Sequence, residues 1–277
     1  MESQLKSFKG KAIYTPSGKA AEYARYACNF YTGCSNECTY CYLKNGIGAK
    51  ILGGNKPTLK KCFNDENHAY EVFRSELIKN LAEIKKHGLF LSFTTDPMLP
   101  ETIELTFRLI STCAYLFVPT IILTKRTDWI DSGYYAALKV FGSSTAIGFT
   151  LTGRDELEPN ASTNLERIEA MKKLHNAGFK TFASIEPIVD FESSFMMIKL
   201  SAPYCNLFKV GLMSGVKVDE KQLRMFIAKV KTLLYFNPPA KVYWKDSITK
   251  IVGTTMVESG FSVSRDYNLF EPLPQLS

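Results

Sequence analysis

Cys34, Cys38 and Cys41 stand in the run Thr32-Gly33-Cys34-Ser35-Asn36-Glu37-Cys38-Thr39-Tyr40-Cys41-Tyr42. This C-x3-C-x2-C spacing wraps one short loop around a single metal centre, and thiolates are soft ligands suited to zinc or to an iron-sulfur cluster. A structural zinc ion takes four protein ligands, and no histidine or fourth cysteine lies close to the three in sequence. A cubane cluster also takes four cysteines, so three leave one iron open to a small molecule. Two readings without catalysis stand beside this one. The loop can act as a zinc clip, or the chain can bind nucleic acid through Lys56, Lys60, Lys61 and stacked aromatic rings.

The motif resembles that of the radical S-adenosylmethionine (SAM) superfamily, C-x3-C-x-aromatic-C, matched by Cys34, Cys38, Tyr40 and Cys41. The wider string Asn29-Phe30-Tyr31-Thr32-Gly33-Cys34, closing on Tyr40-Cys41-Tyr42, is similar to the branch of spore photoproduct lyase and the DNA repair photolyase-like proteins. The resemblance implies that Cys34, Cys38 and Cys41 hold three irons of one [4Fe-4S] cluster and that SAM chelates the fourth. Reductive cleavage of SAM would then give methionine and a 5′-deoxyadenosyl radical that abstracts hydrogen from substrate. It further implies Tyr40 beside the adenine, and Thr94-Thr95-Asp96 in place of the Gly-Gly-Glu that holds the SAM amino group in many members. Thr150, Ser184 and Glu186 either reach the ribose hydroxyls or the methionine end or are satisfied polar groups of the barrel. The expected partners are a reducing donor such as flavodoxin or ferredoxin and a nucleic-acid substrate.

Lesion repair in that branch uses a cysteine hydrogen donor. Of the cysteines between the motif and the middle of the chain, Cys62 reads as a loop thiol and Cys113 as a core residue on an apolar helix. Neither has surroundings that match the donor, and lesion lyase activity is not expected. Nothing after Cys205 supplies ligands for a second cluster.

The elements that must position these residues follow from hydrophobic period. Strands are expected near Ala27–Tyr31, Leu89–Phe93, Phe117–Leu123, Ala146–Leu151, Lys180–Ile185 and Asn206–Val210, with a seventh at Lys241–Trp244. Helices are expected at His68–Lys86, Glu101–Leu116, Trp129–Val140, from the Thr163/Glu166 capping box to Gly178, at Phe191–Leu200 and at Glu220–Tyr235. Gly46, Gly48, Gly53 and Gly54 mark an irregular segment after the cysteine loop. Alternating strands and helices imply parallel pairing with right-handed crossovers. The expectation is an α/β fold, a partial (β/α)6-type TIM barrel of the radical SAM kind with room for a seventh strand. It forms one domain over 1–277, with an N-terminal extension (1–26) and a C-terminal extension (240–277) covering the barrel.

Barrel chemistry sits at the carboxyl ends of the strands. Polar residues fall there repeatedly: the cysteine loop, Thr94-Thr95-Asp96, Thr124-Lys125, Thr150, Ser184 and Glu186, Lys209, and Lys245. Each of the three lysines, taken singly, reads as a solvated side chain, and together they suit the SAM carboxylate or an anionic substrate.

Composition bounds the rest. With 45% hydrophobic and 22% charged residues in 277, the chain fits a cytoplasmic enzyme. No stretch of about eighteen apolar residues occurs, so no membrane span is expected. Seven cysteines with one tight trio are unlike a disulfide framework and point to a reducing compartment. A formal charge of +7 is compatible with nucleic acid and equally with a solvated surface.

Overall fold

The computed structural model describes residues 7–45, 49–141 and 144–270, so Gly46 and Gly48 lie outside the described residues. Two compact units emerge. The first, Met1–Thr145 with Pro159–Ala161, carries β1 (Ile13–Tyr14), β2 (Ala27–Cys28), β3 (Tyr31–Thr32), α1 (Tyr42–Asn45), α2 (Ala49–Leu52), β4 (Thr58–Leu59), α3 (Glu66–Lys79), α4 (Leu81–His87), β5 (Leu89–Leu91), α5 (Ile103–Tyr115), β6 (Thr120–Thr124) and α6 (Gly133–Phe141). Strands β2, β5 and β6 pair in parallel, with Cys28 opposite Leu91 and Leu91 opposite Ile122. The short β1 adds antiparallel to β2, inside the stretch that reads from sequence as an extension. Strands β3 and β4 form a separate antiparallel ladder that brackets the cysteine loop, β3 ending just before it and β4 following it.

The second unit, Ala146–Glu158 with Ser162–Ser277, takes up β7 (Thr145–Thr150) from its second residue. There follow α7 (Asn164–Asn176), β8 (Lys180–Ile188), α8 (Phe191–Ser201), β9 (Leu207–Leu212), α9 (Glu220–Tyr235), β10 (Lys241–Trp244), α10 (Asp246–Val252) and α11 (Thr254–Val257). The order β7-β8-β9-β10 is parallel throughout. Strands β7 and β9 are buried along their whole length, as near-continuous apolar runs require of strands covered on both faces.

All seven strands anticipated from hydrophobic period are present, and the caps explain most helix starts. The side chains of Asp65, Thr163, Asp190 and Asp219 each accept a first-turn backbone N–H of α3, α7, α8 and α9. At Thr163 the reciprocal bond from Glu166 completes the capping box. Several boundaries differ from the sequence expectation: the strand expected over Ala27–Tyr31 splits into β2 and β3, the strand from Leu89 ends at Leu91, the helix expected from Trp129 starts at Gly133, and two further differences have a plain cause. The helix expected over His68–Lys86 breaks at Asn80, whose amide donates to Glu76 O at 2.9 Å and so ends the ladder locally. The strand expected from Phe117 begins at Thr120, because Phe117 turns the chain with φ of 54° and Pro119 has no N–H to offer. Among the described residues no helix is long and apolar enough to cross a membrane.

Candidate functional site

In the first unit the chain leaves β3 through Gly33, with φ of 83°, and enters the cysteine loop. A side chain at Gly33 would come within 2.4 Å of Lys56 O and 2.9 Å of Gly54 O. Only glycine permits this close approach and this left-handed turn. Backbone bonds from Gly33 N to Leu52 O (3.1 Å) and from Cys34 N to Gly54 O (2.9 Å) seat the loop on the 52–56 segment. Cys38 is buried, and Cys34 and Cys41 are half-buried. Cys41 N donates to Cys38 O (3.2 Å), which starts the turn into α1.

The hub beside this loop is Asp96, at the end of the segment after β5. One carboxylate oxygen accepts from Thr124 Oγ1 (2.6 Å) and Met98 N (3.0 Å). The other accepts from Asn36 Nδ2 (2.8 Å) and Lys125 N (2.8 Å). A carboxylate has about four lone-pair sites, so the acceptor capacity of Asp96 is taken up inside the protein. The sequence suggests that Asp96 receives the ammonium of SAM; the geometry instead makes it the tie between the cysteine loop and the end of β6. Since an ionised Asp96 only accepts, Asn36 must turn its amide nitrogen toward it. That leaves Asn36 Oδ1 buried with no partner, and Thr95 Oγ1 is buried without a partner as well. Asn36 and Thr95 are 2% and 8% exposed, so both atoms lie away from bulk water.

Other sequence-selected residues of this unit are already engaged. Thr94 Oγ1 donates to Tyr31 O (2.5 Å), and the ring of Tyr40 lies 5.7 Å from Lys125 Nζ, a cation-π contact. Tyr42 Oη donates to Phe93 O, and Asn29 Oδ1 accepts from Phe93 N (2.9 Å). Burial pushes the Cys34 thiol up to about 12; the Asp96 charge adds to this, while backbone N–H groups of Asn36 and Asp96 and the Lys125 charge work in the opposite direction.

Does this loop suit a cluster? Among the described residues, no three His, Cys, Asp or Glu side chains converge on one point that would hold a single metal ion. Three thiols on one loop, seated on a glycine cradle, supply three of the four ligands of a cubane and leave a structural zinc ion one protein ligand short. The orphaned Asn36 oxygen, a pure acceptor, in turn fits a ligand rich in N–H or O–H donors.

The second unit holds Thr150, Ser184 and Glu186. Thr150 is buried at the end of β7, and its carbonyl accepts from Arg167 Nη1 (2.8 Å). Ser184 is buried on β8, and its carbonyl accepts from Leu151 N (2.9 Å). Glu186 pairs with Lys245 Nζ. Lys245 and Lys209 are not the solvated lysines that sequence suggests. Lys245 is fully buried, and Lys209 is 7% exposed with its Nζ 5.8 Å from the Tyr243 ring. Gly211 makes the room: a side chain there would meet Glu186 Oε1 at 2.8 Å and Lys245 Cδ at 2.9 Å. A second buried pair, Arg167 with Glu158 at 2.7 Å, had no sequence signal beyond two charges in a polar stretch.

Cys113 is buried with its thiol raised by burial, and Cys28 and Cys205 are buried too, as packing residues should be; Cys62 is half-buried. Asn36 and Asn160 escaped sequence reasoning. The one available hint for Asn36 was a side-chain amide between two cysteines of the motif.

No family model matches the chain. It is 27% identical over 221 residues to an uncharacterised protein of Methanocaldococcus jannaschii, covering 75% of this chain and 78% of that one. Among solved structures, a cysteine-to-alanine variant of spore photoproduct lyase superposes with a TM-score of 0.61 at 16% identity, over 87% of this chain and 80% of that one. A double variant of the same enzyme with bound SAM and a dinucleoside spore photoproduct gives 0.57 at 16% identity, over 88% and 79%. The chain thus has an α/β fold with a mostly parallel sheet, similar to the partial barrel of spore photoproduct lyase. Within that class its fold is that of spore photoproduct lyase.

Proposed function

We propose that this chain is a radical SAM enzyme in which Cys34, Cys38 and Cys41 would hold one [4Fe-4S] cluster and leave its fourth iron to SAM. The observation that carries the reading is the C-x3-C-x2-C loop on a glycine cradle in a chain with the fold of spore photoproduct lyase. When bound, cluster and SAM together supply one-electron cleavage of a carbon-sulfur bond and so a hydrogen-abstracting radical.

The chain's own residues have the remaining tasks. Cys34 gives up its proton on ligation, helped by the backbone N–H groups of Asn36 and Asp96 that point at its sulfur. Asn36 Oδ1 and Thr95 Oγ1 would accept hydrogen bonds from the α-ammonium, which would satisfy both orphaned atoms. Tyr40 and Lys125, already in contact, offer an aromatic face and a positive charge for the adenine and the carboxylate. Asp96 orients Asn36 and does not bind. Thr150, Ser184 and Glu186 carry no step in this reading. A reduced flavodoxin or ferredoxin would deliver the electron. A nucleic-acid component is the proposed substrate class, supported by the +7 formal charge and by the dinucleoside found in a neighbour of the same fold. Repair through a cysteine donor is not part of the proposal, because Cys113 is sealed in the core.

The test is anaerobic reconstitution, reduction with dithionite and addition of SAM, with 5′-deoxyadenosine measured against a Cys38→Ala control. The expected result is about four irons per chain and product in the parent, with both lost in the variant. Zinc in place of iron, or a full cluster that never cleaves SAM with any nucleic-acid component added, would sink the reading.

A further inference from the structure

We propose that the cysteine loop is held in shape by a closed ring of hydrogen bonds, in which Asp96 and Asn160 are positioning residues. The ring can be followed atom by atom. Asn36 Nδ2 donates to Asp96 Oδ2 (2.8 Å), and Thr124 Oγ1 donates to Asp96 Oδ1 (2.6 Å). The same Thr124 oxygen accepts from Arg126 N (2.9 Å), and Arg126 Nη1 donates to Asn160 O (2.5 Å). Asn160 then returns to the loop: its N donates to Asn36 O (3.4 Å), and its Nδ2 donates to Ser35 O (3.1 Å) and Glu37 Oε2 (3.1 Å). Arg126 is itself fixed by Asp128 through Nε (3.1 Å) and Nη2 (2.7 Å).

A second observation says why the loop needs holding. Glu37, between the first two cysteines, has φ of 53°, a left-handed conformation that a residue with a side chain adopts at a cost. Left alone, the loop would relax from it. Asn160 grips the residues on both sides of Asn36 and the Glu37 carboxylate itself, so the strained conformation is fixed from outside the motif. The consequence is that cysteine geometry depends on a residue more than 120 positions away in sequence. The link to the cluster rests on the function proposed above; the ring itself does not.

The full chain serves for the test, as the parent, as Asn160→Asp, as Asn160→Asp combined with Glu37→Gln, and as Asp96→Asn. Asn160→Asp keeps the shape but replaces the donating nitrogen with an oxygen that faces Ser35 O and the Glu37 carboxylate. Two rates are read: reaction of the three loop thiols with an aromatic disulfide in metal-free protein, mapped by mass spectrometry, and loss of iron to a chelator after reconstitution. Asn160→Asp should raise both about tenfold, as expected for a few lost hydrogen bonds. Its melting midpoint should stay within about 2 °C, since Asn160 is exposed. Adding Glu37→Gln restores a donor across the contact and should recover most of both rates. Asp96→Asn should exceed Asn160→Asp; should it fail to fold, the Asn160 pair alone decides. Unchanged thiol rates in Asn160→Asp, or no recovery in the double variant, overturn the ring. A parent that takes up no iron-sulfur overturns the cluster reading, and the thiol rates then still decide the ring.

Discussion

Around the cysteine loop and around the buried charges of the second unit, polar groups are withdrawn from water to opposite ends. In the second unit charge meets countercharge: Arg167 and Glu158 lie 2.7 Å apart with both side chains fully buried, and Lys245 meets Glu186. Beside the cysteine loop, Asp96 gathers its donors, yet two neighbours, Asn36 Oδ1 and Thr95 Oγ1, are buried and left unsatisfied. Burial and charge are common to both regions. The difference lies in pairing: the second unit sets opposite charges against each other, and beside the loop two neutral polar atoms are left over. The buried pairs hold strand ends and turns in place, as Arg167 does by also donating to Thr150 O and Ser162 O.

The largest effect should come from breaking a strut. Arg167→Met removes the cation from its buried pair with Glu158, and breaking one side of a buried pair costs about 3–5 kcal/mol. Urea unfolding of the metal-free chain should show a midpoint lowered accordingly. Replacing both partners, Arg167→Met with Glu158→Leu, should recover most of it, because paired apolar replacements of buried ion pairs are often neutral. If the single variant unfolds no sooner than the parent, Arg167 is not structural, and the contrast between the two regions falls.

A smaller effect sharpens the contrast at the surface. Asp190 accepts from Ser193 N (2.7 Å) as the N-cap of α8 and meets Arg154 at 3.1 Å, with 37% of its side chain in water. Partial burial pushes its carboxyl up, but the bonds from Ser193 and the Arg154 charge outweigh this and hold it below its ordinary value. A carboxyl depressed in the folded state contributes stability above its unfolded pKa, about 4, and loses it as pH falls through the folded value. Asp190→Ala should therefore cost about 1 kcal/mol near neutrality, a cap's worth with the exposed ion pair adding little. The difference from the parent should close in acid, and denaturation midpoints at several pH values check it. A penalty that persists unchanged in acid would assign the effect to packing.

Most of the fold was legible because its signals are local. The Thr163 to Glu166 box and the apolar runs of β7 and β9 act within a few residues of where they stand. The candidate site was legible only in its cysteine motif. Asn36 acquires its meaning from Asp96, 60 residues on, and Asn160 from a loop more than 120 residues back. Lys245 looked solvated because its partner Glu186 is 59 residues away and the space between them is made by the absent side chain of Gly211. Asp96 was singled out in the sequence as a SAM-binding residue; its bonds to Asn36, Thr124 and Lys125 could not be read there, since a carboxylate that binds a ligand and one that ties a loop share the same sequence.

The smallest expected change in stability is the most diagnostic, because its sign differs from the others. Thr95→Val removes a buried hydroxyl that has no partner and keeps the shape of the side chain. A strut residue altered this way would destabilise the protein. A residue whose polar atom waits for a ligand should instead leave the metal-free chain unchanged or raise its stability by up to about 1 kcal/mol, since an unsatisfied buried group is itself a cost. Affinity should move the other way: SAM, measured by equilibrium dialysis against the oxidised reconstituted protein, should bind about tenfold more weakly, while 5′-methylthioadenosine, which lacks the amino-acid end, should bind as before. Stability and affinity moving in opposite directions is what a preorganised site predicts and a structural hydroxyl does not. A Thr95→Val chain that is less stable and binds SAM as tightly as the parent would place Thr95 with Arg167 and Lys245 among the residues that only hold the fold.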